Sequence, residues 1–138
     1  MKREVHITIR SVQKDEDNEE VIESAAFGEF SVVGHTYVLR YDELSEEGDV
    51  TKTLIKLSDK GIEVVKRGNT NSKMKFLGGE VTESDYETIY GTLQMAIQTY
   101  SAGFEMTEDN VIAEVDYLLY LNGQLVSRNF LQIEAKFK

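Results

Sequence analysis

The chain has 138 residues, 41% of them hydrophobic, with no cysteine, no proline and a formal net charge of −10. That length holds one domain core and not two, and the apolar fraction is too high for bulk disorder. Disulfides, thiolate metal sites and cysteine nucleophiles are excluded, no apolar run approaches the roughly 20 residues of a membrane-spanning helix, and a strongly acidic body disfavours nucleic acid.

The charge is uneven. Residues 1–50 carry 5 basic and 13 acidic side chains, residues 51–80 carry 7 and 3, and residues 81–138 carry 3 and 9. The basic middle third reads either as a local anion-attracting face or simply as solvated lysines. Met1 to His6 opens with charges and has no apolar stretch behind it, so no secretory leader and no membrane association are expected. A cytoplasmic location follows by elimination.

Period-two alternation dominates from the first residues. Val5, Ile7 and Ile9 alternate with His6, Thr8 and Arg10, which places one apolar face on a strand. Residues 20–33 form a second long run, with Ala25 and Phe27 on one parity and Ala26 and Phe30 on the other. Gly28 inside it signals a bulge or a sharp bend, as barrel corners require. A strand over 35–43 puts Tyr37, Leu39 and Tyr41 on one face. Asp59-Lys60-Gly61 then joins strands over 51–58 and 62–67. With glycine third in that loop, Ile55 stands opposite Val65 and Thr53 opposite Arg67, all four on one face. Gly68 to Ser72 is a turn cluster, residues 73–77 a short strand, and Gly78-Gly79 an interruption. Residues 87–101 read as one long strand whose apolar side carries Ile89, Gly91, Leu93, Met95 and Ile97. The last hairpin is the clearest element: residues 111–121 and 124–137 flank Asn122-Gly123.

About nine strands at this spacing, with no convincing 3.6-residue amphipathic segment, predict an all-β domain. Long strands with internal glycines favour one closed or nearly closed antiparallel barrel of about 8–10 strands over a flat sandwich. A single barrel domain over residues 1–138 is expected.

Motifs that carry chemistry are scarce. The sequence has no phosphate loop, nucleophile elbow, HExxH pair or dinucleotide fingerprint. His6 and His35, each expected on a strand, are too few for a histidine metal site without distant carboxylates. The acidic loop from Asp15 has Glu20 where a calcium loop needs glycine and Ala26 where it needs a bidentate glutamate. That loop and residues 42–47 read as solvated turns. No nucleophile–base pair is visible, so the expectation is no enzyme, no metal and no cofactor.

Arg67 is the exception worth weighing. Its expected face carries Ile55 and Val65, which would turn the guanidinium into the barrel, where it must be paired or hydrogen-bonded. Tyr86, Thr88, Tyr90, Thr92 and Gln98 could then supply polar partners. The functional reading is an anchor for an anion or carboxylate. Its structural alternatives are an internal arginine closing one end and an outward one whose stem lies on the wall.

The stretches Tyr37 to Glu43, Thr51 to Leu57, Val64 to Gly68, Met74 to Phe76, Tyr86 to Gly91 and Tyr120 to Gly123 resemble the YwiB-like bacterial proteins. The resemblance runs over nearly the whole chain and consists of β-strand patterns without a catalytic signature. It implies a small calycin-like barrel, related in shape to lipocalins and fatty-acid-binding proteins, in the cytoplasm of mainly Gram-positive bacteria. It implies no activity. Arg67, Gly68, Tyr86, Thr88 and Gly91 match the recurrent pattern, whereas Ile89 stands where the family often has proline. Two functions are therefore expected to compete. One is a barrel taking a small apolar or anionic ligand in its lumen or mouth, with Arg67, Tyr86, Thr88 and Tyr90 as the site. The other is an acidic interaction protein with a filled barrel, docking a protein partner.

Overall fold

A computed structural model describes residues 2–138. They form ten strands: β1 Lys2–Lys14, β2 Glu19–Val33, β3 Thr36–Leu44, β4 Val50–Ser58, β5 Gly61–Arg67, β6 Asn71–Phe76, β7 Val81–Thr88, β8 Gly91–Met106, β9 Asn110–Leu121 and β10 Gln124–Phe137. Each pairs antiparallel with its neighbours in sequence, and β1 pairs with β10 from Val5–Phe137 to Lys14–Arg128, which closes the barrel. Closure removes the raw edges of an open sheet wherever neighbouring strands stay paired. The all-β class and the antiparallel barrel agree with the sequence pattern.

Three sequence expectations need correction. The span 87–101 is not one strand: Ile89 and Tyr90 form a two-residue turn, and β7 and β8 pair across it from Thr88–Gly91 to Val81–Gln98. His35 sits in the Gly34-His35 turn rather than on a strand. The β4–β5 loop has two residues, Asp59 and Lys60, and Gly61 begins β5 opposite Ser58. Ile55 therefore faces Val64, Thr53 faces Lys66, and Lys52 faces Arg67. A one-residue slip in a period-two element exchanges its faces, so Val65 and Arg67 move to the outer wall and Lys66 turns inward.

The lumen is filled in its middle by side chains from every strand except β2's first half and β7, among them Ile7, Leu39, Ile55, Phe76, Ile97 and Ile133. Phe30 and Met95 belong to this core, but Phe27 is 69% exposed on the outer face. There its ring lies 5.0 Å from that of His6. The end that carries both chain termini is sealed by aromatics. Phe30 and Phe137 meet edge-on at 5.1 Å, Tyr37 and Phe104 at 5.8 Å, and the Arg3 guanidinium sits 3.9 Å over the Phe137 ring. The turns at 15–18, 45–49, 68–70, 89–90 and 122–123 gather at the opposite end.

The wall is uneven toward that opposite end. β2 pairs with β3 only from Gly28–Tyr41 to Val33–Thr36. The preceding residues of β2, 19–27, pair with β1 alone, and residues 42–44 of β3 pair with β4 alone. The two strands diverge at Gly28. A Cβ there would collide with the Arg40 carbonyl oxygen and come within 2.9 Å of Ile7 Cδ1 and 3.0 Å of Tyr41 Cβ. The close approach admits only a glycine.

Candidate functional site

The divergence of β2 and β3 leaves a cleft of about 640 Å³, open to solvent, between the two strands. Its floor is Ile7, Ile9, Ala26 and Tyr41 from the lumenal side, and Gly28 stands at its apex. Phe27 and Leu44, exposed by 69% and 74%, form an apolar part of the rim. Glu29, Asp42 and Glu43 supply acidic groups, with Arg40 as the one cation of the lining. The wider setting is more one-sided. Residues 15–29 and 42–49, which carry the two diverging strand segments and their adjoining loops, hold twelve acidic and no basic side chains.

A polar network stands at the inner edge of the cleft. Alternation along β3 turns Tyr41 and Glu43 inward, and the β3–β4–β5 register sets Thr53 and Lys66 beside them. Glu43 Oε1 accepts from three donors: the Tyr41 hydroxyl at 3.1 Å, Lys66 Nζ at 3.2 Å and the Thr53 hydroxyl at 3.4 Å. Glu43 Oε2 has no protein partner among the described residues. Burial, reinforced by the Glu43 carboxylate, holds the Tyr41 phenol far above the ordinary tyrosine value. The ammonium–carboxylate pair is about one-third exposed on both sides, so water screens it. The arrangement fixes a carboxylate with one occupied and one free oxygen, which suits reception of a cation. It offers no nucleophile paired with a base.

A second buried polar row crosses β8, β9 and β10. Thr99 and Asn129 both stand opposite Tyr117. The Ser127 hydroxyl donates to Asn129 Oδ1 at 3.1 Å, and Thr99 Oγ1 is buried without a partner among the described residues. Burial pushes the Tyr117 phenol up to about 12. Tyr41 and Tyr117 are thus both neutral in the folded chain over a range where an unfolded tyrosine ionises, near pH 10. Their contribution to stability is fully present below pH 10 and is lost as pH rises from there toward 12. A two-unit shift is worth on the order of 2–3 kcal/mol. Urea unfolding at pH 9 to 12 is expected to show that fall, and Tyr117→Phe should flatten it while leaving stability at pH 7 nearly unchanged. An equally steep fall in the variant would remove Tyr117 from the account.

The four residues nominated from sequence do not form one site. Arg67 is exposed on the outer wall beside Lys52 and Asn71, so no anion is anchored on it inside the barrel. Tyr86 is half-buried on the lumenal side and packs against the core. Thr88 serves the β7–β8 turn: its hydroxyl donates to the Gly91 carbonyl at 2.8 Å and accepts from the Tyr90 N–H at 3.1 Å. Tyr90 is 94% exposed at the tip of that turn. The anion-attracting reading of the basic third has a structural counterpart on the outside of the barrel. Arg40, Lys52, Lys56, Arg67, Lys73 and Lys75 share the outer wall of β3–β6, and Glu63 neutralises only Lys73, at 3.5 Å.

What sequence reasoning missed is the Tyr41–Glu43–Thr53–Lys66 group. Tyr41 and Glu43 share a parity that was readable. Lys66 was hidden by the assumed three-residue loop, and nothing in the sequence marks where β2 leaves β3.

A family model described as "Domain of unknown function (DUF1934)" matches residues 7–133. The uncharacterized β-barrel protein YwiB of Bacillus subtilis (strain 168) is 29% identical over 126 residues, which cover 90% of this chain and 88% of that protein. The crystal structure of the ywiB protein from Bacillus subtilis matches with a TM-score of 0.89 at 23% identity, over 99% of this chain and 93% of that one. The structural likeness is one of fold, and it agrees with the resemblance carried by the strand patterns.

Proposed function

The chain belongs to the family described as a domain of unknown function, DUF1934, and from that premise we propose that it is a binding module rather than an enzyme, docking a cationic partner at the cleft between β2 and β3. The observation that carries this reading is an apolar floor between two diverging segments, residues 15–29 and 42–49, that hold twelve acids and no base, against Arg40 as the cation of the lining. Such an acidic border attracts cations over a Debye length of about 8–10 Å at physiological salt. It repels an anionic ligand, and the side chains that fill the middle of the lumen leave the cleft as the more accessible concavity.

The test is fluorescence anisotropy with fluorescein-labelled octalysine at low and at physiological salt. Neutralising Asp42→Asn, Glu46→Gln and Glu47→Gln together is expected to weaken binding about tenfold or more. Neutralising Glu83→Gln, Asp85→Asn and Glu87→Gln, the outer acids of β7, removes the same charge and should cost less than about twofold. Equal losses from the two triples would mean diffuse attraction to an acidic protein and would overturn the assignment.

A further inference from the structure

We infer that the partner is an extended polypeptide segment, received as an added strand in the gap between β2 and β3. This inference rests on the docking reading above and specifies its chemistry. The gap is a missing piece of sheet. Along residues 19–27 of β2 and 42–44 of β3, one side of each strand has no strand beside it. In an antiparallel strand alternate residues turn both main-chain groups to the same side, so each free side presents a row of N–H and C=O groups. An incoming strand satisfies those groups, which is the recognition mode of β-augmentation.

The alternation of side chains specifies what the strand must look like. On the lumenal side its neighbours at the apex are Ala26 and Tyr41, with Ile7 and Ile9 on the floor and the Glu43 carboxylate, already engaged by Lys66, beyond them. Residues of the guest that point inward are therefore small or apolar. On the outer side its neighbours are Phe27, Glu23 and Glu19 of β2 and Asp42 of β3, so residues that point outward are Lys or Arg, their stems lying along Phe27 near the apex. The guest is an alternating basic–apolar segment of a few residues near the Gly28 apex, with room to run on along β2 toward the open end.

A second copy of the chain fits poorly. Pairing β2 with its own copy brings Glu19, Glu20 and Glu23 of one chain against the same acids of the other, and each chain carries a charge of −10. Like charges set opposite each other destabilise a strand pair. The same acids keep the free edge from pairing with itself while leaving it open to a cationic strand.

Two labelled octapeptides of sequence Lys-Val-Arg-Ile-Lys-Val-Arg-Ile decide the matter, one with ordinary amides and one with alternate amides N-methylated. They carry the same charge and the same side chains, but the second lacks half of its main-chain donors. Anisotropy is measured for both, and amide hydrogen exchange is followed in residues 19–27. Strand addition predicts at least tenfold weaker binding of the methylated probe and slowed exchange of β2 amides by the ordinary one. Equal binding with unchanged β2 exchange would overturn strand addition while leaving the docking reading standing. No binding of either probe, together with failure of the octalysine test, would overturn both.

Discussion

Phe76→Ala is expected to lower the free energy of unfolding by about 3–5 kcal/mol, the largest single loss available in this barrel. Phe76 is fully buried, stands opposite Ile62 on β5, and its ring centroid lies 4.7 Å from that of Tyr117. Truncation loses the transfer energy of the ring and leaves a void. The strands around it are tied into a closed ring and cannot slide inward to fill it. Domains of this kind are stable by only about 5–15 kcal/mol in total, so the variant should fold but with a markedly lower urea midpoint at unchanged m-value. A loss below about 1 kcal/mol would show that the wall next to the weak β6–β7 pairing, where one residue pair, Asn71–Glu87, is in register, collapses onto the void.

The second large effect is Gly28→Ala, expected to cost about 2–3 kcal/mol. The added methyl meets main-chain oxygen on one side and the Ile7 and Tyr41 side chains on the other, so a rotamer change alone does not relieve it. Either β2 moves away from β3 or the pair frays. Amide exchange at residues 36–41 should therefore accelerate more than at β9 and β10. Gly103→Ala is the matched control: it too lies within a strand, and its added Cβ meets nothing within 4 Å. There the change should be neutral or slightly stabilising, because it reduces the freedom of the unfolded chain. Equal costs at the two glycines would remove the apex role assigned to Gly28.

The barrel was legible because its strands obey local rules. Asn122 and Gly123 take φ of 49° and 80°, as a two-residue hairpin turn asks, and β9 and β10 pair on both sides of them. Val5, Ile7 and Ile9 hold one face from end to end of their pairing. Local rules were also where the reading failed. Asp59-Lys60-Gly61 fits a two- or a three-residue loop equally well by composition, and the choice decides whether Arg67 or Lys66 faces the lumen. Ile89-Tyr90 carries no turn chemistry of its own, so β7 and β8 looked like one strand. The cleft depends on where two distant strands separate, a property of their crossing that neither strand's sequence displays. Gly28 marked the bend without saying what would open beside it.

The pairing of β1 with β10 has a consequence for how the molecule comes into being. Val5 cannot meet Phe137 until every residue between them has been made. At ordinary rates of synthesis that is a delay on the order of ten seconds. Through that interval the nascent sheet has two raw margins, β1 on one side and the most recently formed strand on the other. Hairpins form in microseconds, so neighbouring strands have time to pair while the closing partner is still missing. Ring closure through contacts this remote in sequence belongs to the slow end of the folding range. The acidic first fifty residues, with thirteen carboxylates, then act before any partner arrives: they give the unfinished ribbon mutual repulsion from its siblings on a shared messenger until the last strand seals it.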